Sequence, residues 1–281
     1  MATTIDYDGA IVFGATDADG VRWRIEKGGF EGWDGSSAPT LDVVQNPRDN
    51  WGWAGESFLT PRYMAVRGLI IAPSPILLDG AIDRLNDTVA LDDRPFTVTS
   101  ARGTRWLNVR RADEVRSPKE NDWIARYALQ VVALDGRKRG TELSASTALP
   151  SSSGGLTLPF TVPFAIEATQ VAGQVSLTNT GNEVGPVRLR IDGPCTGPVV
   201  THVSSGRSLV FASSLVLTAG EWLDIDMDAR TVLANGQANR RMYVTSAGWS
   251  GFERGGNTWA FTAAVYNAAS LLTVYATPAD K

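Results

Sequence analysis

The sequence predicts a mainly β protein of two domains: an N-terminal α+β unit resembling a small split barrel with one helix, followed by a C-terminal β-sandwich. Three observations predict it. Convincing helical periodicity occurs once, after Pro73; period-two alternation recurs on both sides of that helix and through the second half; and a stretch of low apolar content divides the halves. That stretch, Leu134 to Phe160, opens with the basic run Arg137, Lys138 and Arg139, passes through Ser, Ala, Thr and Pro from Ser144 to Ser153, and ends at Gly154-Gly155. It buries too little apolar surface to offset the entropy of ordering it, so it reads as a linker over 141–155 between domains 1–140 and 156–281. The competing reading is a long loop inside one domain, and structureless loops of that length are uncommon.

In the first domain, Ile5 to Phe13 and Val21 to Glu26 read as strands separated by the turn cluster Thr16 to Gly20. Val21, Trp23 and Ile25 alternate with Arg22, Arg24 and Glu26, the period of a half-buried hairpin. Lys27 to Thr60 is rich in Gly and carries Trp33, Trp51 and Trp53 with weak periodicity, which predicts a long irregular excursion between strands. Trp51 and Trp53 are candidate surface or interface aromatics; a sugar-stacking pair is the alternative role. Pro61 to Ile71 reads as a strand. The helix follows, with Ser74 as its cap, Pro75 at the first helical position and Asp79 near its positive end. Leu78, Ile82, Leu85 and Val89 form one apolar stripe, expected to pack on the adjacent sheet. Strands resume at Phe96 to Ser100, Trp106 to Arg110 and Trp123 to Leu134.

In the second half the helical period disappears. Short strand-like segments (Ala172 to Asn179, Val187 to Ile191, Val199 to Val203, Ser208 to Phe211, Trp222 to Met227, Thr231 to Ala234, Met242 to Thr245, Thr258 to Ala263 and Leu271 to Ala276) alternate with turn signals such as Asn235-Gly236. Val187, Leu189 and Ile191 face inward while Arg188, Arg190 and Asp192 face water, as in a sandwich.

Composition narrows the chemistry. A net charge of −4 with dispersed basic clusters speaks against sequence-specific nucleic-acid binding. The single cysteine, Cys195, cannot form an intramolecular disulfide. No apolar run approaches the roughly 18 residues of a membrane helix, and Met1 to Asp6 lacks the regions of a signal peptide, so neither membrane insertion nor ordinary secretion is expected. With one histidine, His202, no Cys/His zinc site can be assembled, and any Ser-His-Asp site would have to use His202, which sits in a strand. Gly248-Trp249-Ser250-Gly251 lacks the spacing of a nucleophile elbow, and no Walker or dinucleotide fingerprint is present. Asp224, Asp226 and Asp228 fail as a calcium loop because the sixth and twelfth positions are Ala229 and Asn235. No catalytic residue, metal or cofactor is expected.

The order of these elements, with Arg62 to Ile71 (RYMAVRGLII), the capped helix and Ala125 to Gly136 (ARYALQVVALDG), resembles the N-terminal domain of bacteriophage distal tail proteins, the siphovirus tail component family. The family's A-x-D-P turn has Gly136 in place of Pro here. The second half is similar to the family's C-terminal domain at 179–182, 187–193, 205–211, 219–226, 230–232 and 255–261. The resemblance implies a non-enzymatic virion protein at the distal end of the phage tail, assembled in the host cytoplasm. It implies a hexameric ring made by the N-terminal domain, joining the tail tube protein to the tip or baseplate hub protein, with a galectin-like C-terminal sandwich pointing outward as a docking platform for a receptor-binding protein. The alternative is a carbohydrate-binding tail adhesin acting through the sandwich; Trp249 with Glu253-Arg254 departs from the galectin W-x-x-E-x-R spacing, and Trp249 joins Trp51 and Trp53 as a candidate surface aromatic.

Overall fold

The computed structural model of the chain describes residues 3–153, 169–171, 173–265 and 267–281. It is mainly β and divides into two compact units, Met1–Gly140 and Thr141–Asp280.

In unit 1, Thr4–Tyr7 (β1) and Ile11–Phe13 (β2) form a hairpin instead of the single strand expected over 5–13. The cause is Asp8-Gly9: φ values of 55° and 69° place both residues in the left-handed region, in a turn closed by Ala10 N–H donating to the Tyr7 carbonyl at 3.0 Å, and the Asp6 carboxylate accepts from Gly9 N–H at 2.8 Å. The remaining elements are Arg22–Glu31 (β3), Arg62–Ile71 (β4), Pro75–Thr88 (α1), Arg94–Ser100 (β5), Gly103–Arg111 (β6) and Ile124–Ala133 (β7). Hydrogen-bonded neighbours run β2-β1-β5-β6-β7-β4-β3. The ends of this path meet, with Gly14 N–H donating to the Trp23 carbonyl at 2.6 Å and Trp23 N–H to Ala15 at 2.9 Å. The β6/β7 register consists only of Arg110–Val132 and Arg111–Val131. The sheet therefore closes into a barrel whose two halves share short backbone seams, which is the split-barrel character expected. Side chains fasten the seams: Phe13 packs edge-on to Trp23 at 5.7 Å and against Tyr127 at 5.1 Å.

Alternation decides what faces inward. In β4, Arg62, Met64, Val66, Gly68 and Ile70 are buried in one phase. The helix begins as its sequence dictates, Ser74 Oγ accepting from Leu77 N–H at 3.3 Å with Pro75 at its first position. Leu78, Leu85 and Val89 are buried, Ile82 is half-buried against the same core, and Ala81 joins them. Asp79 lies beyond the first turn and pairs with Lys119. Arg84 reaches the turn cluster, where Asp17 also accepts from Val21 N–H at 2.9 Å.

Unit 2 has two antiparallel sheets around its own core. Its elements are Leu143–Ala148 (β8), Gln174–Asn179 (β9), Val187–Asp192 (β10), Cys195–His202 (β11), Arg207–Phe211 (β12), Trp222–Asp226 (β13), Thr231–Ala234 (β14), Val244–Ala247 (β15), Gly255–Val265 (β16) and Leu271–Ala276 (β17). One sheet runs β8-β17-β10-β13-β14 and the other β9-β16-β11-β12-β15. The region expected as strand at Met242 begins as a short 3-10 turn, Arg241–Tyr243, before β15.

The linker expected over 141–155 is corrected. Residues 143–148 are β8, paired along their length with β17 from Leu143–Ala276 to Ala148–Leu271, and Ser151–Ser153 pairs with Thr169–Val171. Small residues make an edge strand with little apolar area, so backbone hydrogen bonds hold what hydrophobicity alone would leave free. The basic run is not a linker entrance either: Arg137 and Arg139 bond the Asp135 carboxylate at 2.9 Å, and Lys138 is buried. Gly154-Gly155 and the start of the expected second domain, 156–168, lie outside the described residues.

Candidate functional site

The excursion between β3 and β4 is a hairpin arm. Pro39–Thr40 pairs with Phe58–Leu59 and Val43–Gln45 with Gly52–Ala54, and Asn46 N–H donates to the Trp51 carbonyl at 2.9 Å near the tip. The expectation of an irregular loop fails because neither face of the arm is buried, so no face selects for apolar residues and the period-two signal is lost. Leu41, Val43, Val44, Trp51, Trp53, Phe58 and Leu59 are instead all exposed, Trp51 at 48%, Trp53 at 54% and Phe58 at 65%. Trp51 and Trp53 lie against each other with centroids 4.4 Å apart at 65°, and the Asp49 carboxylate accepts from Trp51 Nε1 at 3.1 Å.

Two buried cations fix the root of this arm. The Arg62 guanidinium donates from Nη1 to the carbonyls of Gly35 at 2.7 Å, Gly32 at 2.8 Å and Trp33 at 3.3 Å, and from Nε to Gly136 at 3.2 Å. Burial lowers its pKa from the ordinary arginine value. Lys138 Nζ donates to the Trp33 carbonyl at 3.1 Å and lies 5.7 Å from that indole, which packs into the core beside Phe30. The arm is thus anchored at its base and apolar along its length. Sequence reasoning missed both cations, although Arg62 stands in phase with Met64, Val66 and Ile70, a signal that its side chain turns inward.

The titratable residues of unit 2 have structural work. His202 is buried, with Nδ1 2.7 Å from Ser205 Oγ and Nε2 3.0 Å from Asn257 Oδ1. Asn257 donates through Nδ2 to the carbonyls of Glu253 and Gly255, which fixes its oxygen as the acceptor and His202 as the Nε2–H tautomer. Burial depresses the imidazole pKa, and the Asn257 bond opposes that only in part. Cys195 is buried and free, its thiol pushed up to about 11 by burial. Asp224 accepts from Trp222 Nε1 at 2.8 Å, and Asp226 shapes the turn by accepting from the backbone N–H groups of Asp228 and Ala229. Among the described residues, no group of three His, Cys, Asp or Glu side chains could hold a metal ion. Trp249 is half-buried beneath the Arg241 guanidinium at 5.5 Å; Trp222 and Tyr275 are covered likewise by Arg190 at 4.6 Å and Arg188 at 5.4 Å. Trp249 belongs to unit 2, and the arm tryptophans belong to unit 1.

A sequence profile described as the siphovirus-type tail component, C-terminal domain, matches residues 161–274. No curated protein matches the sequence. Among solved structures, the SPP1 Dit protein (gp 19.1), described as a paradigm of the hub adsorption apparatus in phages infecting Gram-positive bacteria, superposes with a TM-score of 0.67 at 12% identity, covering 99% of each chain. A chain of the phage P2 baseplate in its activated conformation gives 0.50 at 11% identity over 98% of each. Residues 161–274 thus carry the pattern of the siphovirus-type tail component C-terminal domain, and the fold over nearly the whole chain is similar to that of the SPP1 Dit protein.

Proposed function

We propose that the protein is a structural component of the phage tail tip or baseplate whose unit 1 closes into a hexameric ring between tail tube and tip, leaving unit 2 to dock host-recognition proteins. The observation that carries this reading is the arm. A lone two-stranded hairpin is marginal in water, and this one exposes Leu41, Val43, Val44, Trp51, Trp53, Phe58 and Leu59 together, the kind of apolar surface that a protein interface buries. A ring needs a projecting element on each copy and a receiving surface on the next, and a rigidly rooted apolar arm suits the first role.

Light scattering across a wide concentration range tests it. The purified chain should reach a mass near six copies, and a double variant Trp53→Ser with Phe58→Ser should stay monomeric with unchanged circular dichroism. A wild-type chain that remains monomeric even with tail tube protein added overturns the ring. The carbohydrate-binding alternative draws less support, because Trp222, Tyr275 and Trp249 present guanidinium groups where a sugar would stack; retention of the intact protein on host cell-wall polysaccharide would revive it.

A further inference from the structure

In unit 2, β15 ends its sheet. It pairs on one side with β12, through Leu209–Ala247, Val210–Ser246 and Phe211–Val244, and among the described residues no strand lies along its other side. Thr245, Ser246 and Ala247 are exposed. Such an edge is an open template for another chain, and it usually carries a device that prevents unwanted pairing.

The device here is positive charge. Arg207 donates from Nη1 to the Trp249 carbonyl at 3.0 Å, just past the strand; Arg241 stacks over the Trp249 ring and donates to the carbonyl of Arg230; Arg240 lies 5.9 Å over the ring of Tyr243, just before the strand. Among the described residues none of the three guanidinium groups, those of Arg207, Arg240 and Arg241, is in an ion pair, whereas Arg188 and Arg190 on the other sheet are paired with Glu142 and Asp192. Like charge keeps a second copy of this edge away. The same arginines, held by carbonyls and aromatic rings, are ready to take carboxylates.

We propose that the outer edge of Val244–Ala247 receives an extended acidic segment of another polypeptide as an added strand, its carboxylates held by Arg207 and Arg241. A peptide satisfies both halves of the site: its backbone meets the open edge while alternate side chains reach the guanidinium groups. A polyphosphate would meet the charges and leave the edge unpaired. This docking site does not depend on the ring.

Calorimetric titration of the full chain with a short peptide alternating glutamate and valine reads the charge, and amide hydrogen exchange over 244–247 reads the strand. The glutamate peptide should bind saturably and slow exchange at 245–247 by about tenfold or more, while the same peptide with lysine for glutamate should not bind. The double variant Arg207→Glu with Arg241→Glu should lose the glutamate peptide by about tenfold or more and accept the lysine peptide. If that variant does not fold, Arg241→Gln should still weaken the glutamate peptide severalfold. Absence of glutamate-peptide binding, binding without slowed exchange, or preference for inorganic polyphosphate overturns the proposal.

Discussion

His202 makes its two hydrogen bonds as a neutral imidazole, and burial holds its pKa below the ordinary value. Between that depressed pKa and the unfolded value of about 6.5, the unfolded chain binds a proton that the folded chain refuses. The stability owed to neutral His202 is therefore complete above about pH 6.5 and is lost as pH falls through the folded pKa. His202→Asn should flatten that slope in urea melts taken as a pH series, at the cost of a lower plateau. Asp17 and Asp135 act further down. Burial raises both, but hydrogen bonds outweigh it and leave both pKa values lowered: for Asp17 those from Val21 N–H and Arg84, for Asp135 those from Arg137 and Arg139. Their contribution is lost only as pH falls below about 4. Gly68 is constrained by space: a Cβ there would lie 1.8 Å from the Arg24 carbonyl oxygen and 2.7 Å from Tyr127 Oη, which donates to that same carbonyl at 3.1 Å. Gly68→Ala should cost about 3 kcal/mol or more in chemical denaturation, because two paired strands must separate to admit it.

Among the elements, the helix was the most legible, because its cap, its proline and its stripe each signal the same start and the same face. Strands buried on one face were legible for a similar reason. The arm and β8 were not. Both lack the apolar contrast that period-two reading needs, the arm because neither face is covered and β8 because its inward residues include Ala145 and Thr147. The Asp8-Gly9 turn was available in the sequence as a hairpin signal, yet the apolar run around it reads as one strand. Arg62→Lys tests the root of the arm. An ammonium on a flexible stem cannot reproduce the planar fork that spans Gly32, Gly35 and Gly136, so stability should fall by about 2 kcal/mol and proteolysis should concentrate in residues 34–60.

For the whole molecule, the change in pattern between halves agrees with the two compact units, although residues 143–148 of the expected linker form β8. The absence of a site in the sequence reading reflected residue types: one histidine and one cysteine, both of which the fold buries. The surfaces that carry the proposals, an apolar arm and an arginine-lined edge, are invisible to composition because they depend on what lies beside each strand. One pairing also bears on how the chain comes into being. Ile5 is matched to Val98 across β1 and β5. Translation adds roughly 5–20 residues per second, so β1 leaves the ribosome on the order of ten seconds before β5 exists. During that interval β2 is the one barrel neighbour of β1 already made, and their hairpin, marginal on its own, is the pairing within reach of Ile5 to Phe13. The Asp8-Gly9 turn thus biases this apolar segment toward its native pairing until β5 is made, and β7, the last barrel strand in chain order, completes the barrel.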